Sequence, residues 1–150
     1  MRLFVLITAA AVALGVSGCS GKDSHQAWVD SVFLMMNDQL QPAAEGIWDN
    51  AGYDITIEGE RSLWPTTDEG WADVAASADE IIALTRELQE DKYSRGEEEW
   101  KAIADGLIVA AERVRDAANA QDEEEVFDAG GHLYRVCLAC HQRYAIEEYE

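Results

Sequence analysis

Proline is scarce in this chain, and its scarcity restricts the fold. Only two prolines, Pro42 and Pro65, occur among 150 residues. Because proline interrupts helices, long segments without it can remain helical. Strand-like alternation of apolar and polar residues is also rare, while alanine, glutamate and leucine, all strong helix formers, recur throughout. The sequence therefore predicts an all-α fold and argues against a sheet-rich one.

Basic residues are few: 11 Lys and Arg stand against 30 Asp and Glu, which gives a formal net charge of −19. Such a surface repels phosphates, so nucleic acid is not an expected partner. A protein partner is expected to present a basic face, because opposite charges steer association. Solubility alone is an equally good reason for the acidic composition.

The longest apolar run, residues 3–14, is too short to cross a bilayer as a stable helix. It follows Arg2 and leads to the sequence Val-Ser-Gly-Cys at residues 16–19. A short basic start, an apolar stretch and small residues before a cut are typical of a secretory signal. The ending also resembles a bacterial lipobox, in which the cysteine becomes the lipidated first residue.

We therefore predict a lipoprotein signal peptide over residues 1–18, a lipid on Cys19 and a short tether over residues 19–23. The remaining residues, 24–150, are expected to form one domain on the periplasmic side of a bacterial membrane. Ser20, rather than Asp, after the cysteine favours the outer membrane. An ordinary signal cut nearby is the alternative, and it would leave Cys19 as a free thiol.

The first of four predicted helices runs from about Ser24 to Asn50, and Pro42 is expected to kink or split it. Apolar residues recur along it every three or four positions, which is typical of one buried face. This predicted stripe consists of Val29, Val32, Phe33, Met36, Leu40, Ala43 and Ile47. A loop is predicted over residues 51–65; its short alternation at residues 53–57 could be extended, but no sheet is expected there.

Three further helices follow the loop. The second is expected to begin near residue 66 or 67, with acidic residues in its first turn, where they suit the helix dipole. The pairs Ser94 with Glu97 and Asp122 with Glu125 have the spacing of a capping box at the start of the third and fourth helices. Four amphipathic segments joined by short loops predict an antiparallel four-helix bundle.

The strongest motif is Cys137-Leu138-Ala139-Cys140-His141. The pattern C-x-x-C-H is the attachment site of c-type haem, because two thiols one helical turn apart can reach the two vinyl groups of one porphyrin. The histidine that follows then lies beneath the iron as the proximal ligand. Lipid on Cys19 and haem on the other two would account for all three cysteines of the chain.

Three alternatives exist for the motif. A redox-active cysteine pair is expected at a helix start after a strand, whereas this motif lies near the end of a chain without a convincing sheet. A structural disulfide between Cys137 and Cys140 would not explain the adjacent histidine. A zinc site would need a fourth ligand, for which only His25 and His132 remain.

On these residues the chain resembles the class II c-type cytochromes, the cytochrome c′ family, over roughly residues 24–147. The likeness includes Leu133-Tyr134 before the haem histidine, Tyr144 one turn after it, and the first-helix segment from Met36 to Trp48. The resemblance implies an up-down four-helix bundle holding one covalently attached haem c. It also implies that Tyr144 lies at the haem and that a homodimer through the first two helices is an option.

The sixth iron ligand separates two functions within that family. Six-coordinate members place a first-helix methionine on the iron and transfer electrons, and Met36 is the expected ligand here because it shares the predicted core stripe. Met35 is expected to point elsewhere. Five-coordinate members bind gases such as NO or CO and typically have a basic residue four positions after the histidine, where this chain has Ala145.

The expected function is therefore that of a membrane-anchored monohaem cytochrome that carries single electrons between redox proteins. The alternative is a five-coordinate protein that binds NO or CO. A third hypothesis is an assembly or sensing subunit in which haem is structural. Catalysis is not predicted, since no acid–base or nucleophile arrangement is evident in the sequence.

Overall fold

Helices form most of the chain in the computed structural model, which describes residues 20–145 and, among these, the side chains of residues 24–145. The predicted signal peptide and Cys19 lie outside the described residues. The predominantly helical prediction is confirmed. The elements are α1 (Ser20–Met35), a π-helical turn (Met36–Leu40), α2 (Gln41–Trp48), β1 (Tyr53–Thr56), β2 (Gly59–Ser62), α3 (Asp68–Leu88), α4 (Asp91–Ser94), α5 (Glu98–Asn119) and α6 (Glu123–Tyr144).

The first helical segment changes register at the π-helical turn, where the backbone N–H of Gln41 donates to the carbonyl of Met36, five residues earlier. Two apolar stripes that are out of phase in a continuous α-helix meet there, and the extra residue of a π turn brings them onto one face. Before the turn the inward residues are Trp28, Val32 and Met35, and after it they are Leu40, Ala43, Ala44 and Ile47.

Two expectations for this segment are wrong because of that register change. Met35, expected to point away from the core, is only 1% exposed. Phe33, expected on the buried stripe, is 63% exposed. Pro42 stands in the first turn of α2, where a missing backbone N–H is tolerated, so the segment is divided just before the proline, as predicted.

A β-hairpin occupies much of the segment predicted to be a loop, so the expectation that no sheet forms there is wrong. Strands β1 and β2 pair antiparallel from Tyr53 with Ser62 to Thr56 with Gly59, which leaves a two-residue turn. At its base, Gly52 adopts a φ of +89°, and its carbonyl accepts the backbone N–H of Leu63 at 3.0 Å. Trp64 then stacks on Trp71 of α3 with ring centroids 6.1 Å apart.

Helices α3 and α6 begin as the sequence predicts. The Thr67 hydroxyl accepts the N–H of Gly70 at 3.1 Å, and the Asp122 carboxylate accepts the N–H of Glu125 at 3.1 Å. Each side chain satisfies an amide that has no partner within its helix.

The predicted start of the third helix at Ser94 is wrong. Ser94 ends the short helix α4, its hydroxyl accepts the N–H of Gly96, and α5 begins only at Glu98. The chain turns between these helices because Arg95 and Gly96 both adopt positive φ values, 53° and 78°.

The helices pack in the order α2 on α3, α3 on α5 and α5 on α6. Close backbone packing between α6 and the first helical segment is sparse in the described residues. There the two approach through side chains, as where the Trp48 ring meets Tyr134 with centroids 6.2 Å apart. A cleft remains between them beside residues 136–141 of α6. None of the helices in the described part of the chain is long and apolar enough to span a bilayer.

Candidate functional site

An apolar cleft opens to solvent between the first helical segment and α6. Its cavity volume is about 30 Å³, and the empty space that also counts the open solvent at its mouth is about 410 Å³. The π-helical turn forms one side with Met36 and Leu40. Helix α6 forms the other side with Val136, Cys137, Cys140 and His141. Helices α3 and α5 close the cleft from behind with Thr85, Leu88, Trp100, Ile103, Ala104 and Leu107.

The back of the cleft presents almost no free polar groups. Its single hydroxyl, that of Thr85, donates to the carbonyl of Ile81 at 2.6 Å. The indole N–H of Trp100 donates to the carbonyl of Leu88 at 2.7 Å, which fixes the orientation of the ring. An apolar ligand could therefore contact this surface without breaking a hydrogen bond.

Helix α6 places the three motif residues on one face. Cys140 and His141 follow Cys137 by three and four residues, and side chains at these spacings are neighbours on a helix surface. Both cysteines are half-buried and neither forms a disulfide, while His141 is more exposed at the mouth of the cleft. Two thiols and one imidazole therefore reach the same cavity from one wall.

Burial favours the neutral form of both thiols over the thiolate. It raises the pKa of the Cys137 thiol, and burial together with the neighbouring Cys137 raises the pKa of Cys140 to about 11. Redox-active cysteine pairs need a lowered pKa, which a helix N-terminus provides. This pair lies instead in the last two turns of α6, at the negative end of the helix dipole, so the arrangement disfavours the redox alternative.

The zinc alternative also finds no support in the geometry. Within residues 24–145, no three or more His, Cys, Asp or Glu side chains come together so as to hold a metal ion. His132 lines a separate surface groove with Arg113 and Phe127. His25 stacks on Trp28, with ring centroids 5.8 Å apart, and does not line the cleft.

The two adjacent methionines have different surroundings. Met35 is enclosed in the hydrophobic core, whereas Met36 is half-buried and lines the cleft across from α6. The structure thus brings Met36 into the same cavity as Cys137, Cys140 and His141. A thioether sulfur and an imidazole nitrogen are both groups that would bind a haem iron.

Tyr144 does not line the cleft, although the family resemblance implies that it lies at the cofactor. Its ring packs edge-on against Trp100, with centroids 5.0 Å apart, and Trp100 separates it from the cavity. The enclosed hydroxyl has no hydrogen-bond partner among the described residues. Burial, followed by the charges of Glu97 and Glu99, raises the pKa of Tyr144.

Sequence reasoning did not identify Trp100, Thr85 and Leu88 as cleft residues. Their helical spacing indicates only that they face inward, and it does not distinguish a packed core from the wall of a cavity. Arg143 does not line the cleft. It pairs with Glu99 at 3.1 Å on the surface, and its guanidinium lies 5.1 Å from the centroid of the Tyr144 ring.

No known protein family, curated protein or solved structure was found to match the chain. The likeness to cytochromes c′ therefore rests on the residues of this chain alone. Chemically, the cleft combines an apolar surface with two thiols, an imidazole and a thioether. Thiols can form covalent bonds to a ligand, and an imidazole or a thioether can bind a metal ion.

Proposed function

We propose that this protein is a monohaem c-type cytochrome of the cytochrome c′ type, an antiparallel four-helix bundle that carries single electrons. One observation supports the proposal above all. Cys137, Cys140 and His141 line one wall of an apolar cleft whose opposite wall contains Met36. In the sequence these residues form only a five-residue motif and a distant methionine, and the fold brings them to one cavity.

Each residue has a defined role in this proposal. The thiols of Cys137 and Cys140 would hold the haem covalently beside α6. The imidazole of His141 and the sulfur of Met36 would hold its iron. Haem, when bound, would supply a reversible one-electron couple.

The other cleft residues would control the surroundings of that couple. Leu88, Trp100 and Leu107 exclude water from the back of the cleft, and a methionine ligand raises the reduction potential. Trp100 would be held in place by its hydrogen bond to Leu88 and by Tyr144 behind it. Tyr144 therefore acts as a positioning residue in this proposal.

Location and partners complete the proposal. A lipid on Cys19 would hold the protein on the periplasmic side of a bacterial membrane, preferably the outer one. Its redox partners would present basic faces to a chain with a formal net charge of −19. A homodimer through the first helices would agree with the resemblance to the cytochrome c′ family.

The absorption spectrum of the mature protein tests the haem, provided that the host can attach c-type haem. We expect a mass that includes one haem, a Soret band and a low-spin ferric spectrum with the weak far-red band of iron–methionine bonding. A protein at its apoprotein mass without a Soret band would overturn the proposal.

Matched methionine variants test the distal ligand. Met36→Leu should become high-spin and bind CO when reduced, because the iron loses its sixth ligand. Met35→Leu is the control, since it conserves volume in the core and should keep the wild-type spectrum. If the wild-type protein is itself high-spin and binds CO, the five-coordinate gas-binding function replaces electron transfer.

A further inference from the structure

The β-hairpin exposes three large apolar side chains to solvent. Tyr53 and Ile55 lie two residues apart on one face of β1 and are 54% and 76% exposed, while Ile57 in the turn is fully exposed. A two-stranded hairpin alone is marginally stable in water, and these three side chains contribute little burial to it. Their exposure calls for an explanation other than the stability of the fold.

The exposed apolar surface continues from the hairpin onto α6. A Cβ atom on Gly52, at the hairpin base, would lie 3.5 Å from the ring of Phe127, which is 61% exposed. Phe127, Tyr134 and Leu138 are spaced by seven and four residues, so they share one outward stripe of α6. We call Tyr53, Ile55, Ile57, Phe127, Tyr134 and Leu138 the apolar track.

The apolar track leads to the candidate site. The ring of Tyr134 contacts Trp48, so the end of α2 lies beside the middle of the track. Its last residue, Leu138, directly follows Cys137 of the cleft wall and is 40% exposed. Exposed apolar side chains grouped in this way mark interaction sites on soluble proteins.

Acidic residues accompany the track at the hairpin. Glu60 lies opposite Ile55 in the strand pair and Glu58 follows Ile57 in the turn, while the one basic residue of the two strands, Arg61, pairs with Asp54 at 3.3 Å. The hairpin therefore keeps a negative charge, like the whole molecule. A second copy of the chain or an anionic lipid surface would be repelled there, whereas a cationic surface would be attracted.

We propose that the apolar track is the docking surface for a protein partner whose contact face has an apolar centre surrounded by lysine and arginine. This inference rests on the proposed function only in that the docked partner would exchange electrons at the nearby cleft. Exposed Ile and Phe side chains would provide the buried contacts, and the acidic hairpin residues would set the orientation.

Binding to a lysine-rich cytochrome c of the mitochondrial type tests the proposal. The holoprotein, labelled for NMR, is titrated with this probe at about 10 mM ionic strength, where charge attraction is weakly screened. We expect shifted resonances along the track and weaker binding as salt is added. The double variant Ile55→Ser/Ile57→Ser should lose about tenfold or more in affinity, a change of about 1.4 kcal/mol.

Val109→Ser is the matched control, because Val109 of α5 is also apolar and exposed but lies outside the track. It should bind the probe like the wild type, and thermal melts should show all variants folded. Equal affinities of the wild type and the double variant, or resonance shifts confined to another face, would overturn the proposal. The proposal would also be overturned if the wild-type protein self-associated in sedimentation, or bound anionic vesicles, and the double variant did not.

The same samples separate this proposal from the haem proposal. A protein with a Soret band that fails to bind the probe overturns the docking surface alone. A protein without a Soret band that binds the probe through the track overturns the electron-transfer function alone.

Discussion

Single residues of α6 show how position determines reactivity. Cys137 and Cys140 are ordinary thiols in sequence, but burial near the C-terminal end of a helix holds them in the neutral form. The structure also separates two adjacent methionines, because only Met36 reaches the cleft. Neither result follows from residue type, since both depend on which neighbours exclude water from each sulfur atom.

Thiol reactivity before haem attachment should follow the raised pKa values. In a Cys19→Ser background, alkylation by iodoacetamide should be slow at pH 8 and accelerate toward pH 11, because the thiolate is the nucleophile. Cys140→Ala should leave a single reactive group. A rate that already reaches its plateau below pH 8 would show lowered pKa values and favour the redox pair.

The same shift predicts how stability depends on pH. The folded pKa of Cys140, about 11, lies above its ordinary value of 9.0, so above pH 9 the unfolded chain binds fewer protons than the folded one. The contribution of the Cys140 thiol to the free energy of unfolding is therefore fully present below pH 9, and it is lost as pH rises through 11. Urea unfolding of the haem-free chain should show this decline, and Cys140→Ala should reduce it.

At the scale of elements, the close approach of α2 to α3 depends on a glycine. A Cβ atom at Gly46 would collide with the hydroxyl of Ser77 and lie 3.0 Å from its Cβ atom, so alanine requires that hydroxyl to rotate and the two helices to move apart slightly. The capping residues Thr67 and Asp122 could be predicted from the sequence because a cap acts within one turn. The start of α5 could not be predicted in this way, because two residues with positive φ values end α4 before α5 begins.

A pair of glycine variants tests this packing. Gly46→Ala should destabilise the protein by about 1–3 kcal/mol through overpacking, although alanine is the better helix former. Gly106→Ala is the control, since its Cβ would meet only Val136 at 3.9 Å; it should be neutral or stabilise by up to about 1 kcal/mol. Equal effects in urea denaturation would refute a close α2–α3 contact.

For the whole molecule, charge opposes compactness. The chain has a formal net charge of −19, and the described ion pairs lie at the surface, where each contributes little. Self-repulsion among the acidic residues therefore costs stability. Dissolved salt weakens that repulsion because it shortens the Debye length from about 30 Å at 0.01 M to about 8 Å at 0.15 M.

The melting temperature should accordingly rise when NaCl is added. A gain of about 1 kcal/mol in the free energy of unfolding corresponds to a rise of roughly 3–5 °C in the melting temperature for a chain of this size. The variant Asp73→Asn/Glu80→Gln, which removes two exposed charges from α3, should melt higher at low salt and gain less from NaCl. A melting temperature that falls with salt would mean that attractive ion pairs outweigh the repulsion.

Local patterns were sufficient to predict the predominantly helical class, the caps of α3 and α6 and the C-x-x-C-H motif, because periodicity, capping and motif spacing act over a few neighbouring residues. Three further features came from the packing of distant segments: a π turn joins two stripes, Met35 is buried in the core next to Met36 at the cleft, and Trp100 stands between the cleft and Tyr144. These results depend on packing between segments distant in sequence. The physical reason is that a side chain's burial is set by the opposite helix, which no local pattern specifies.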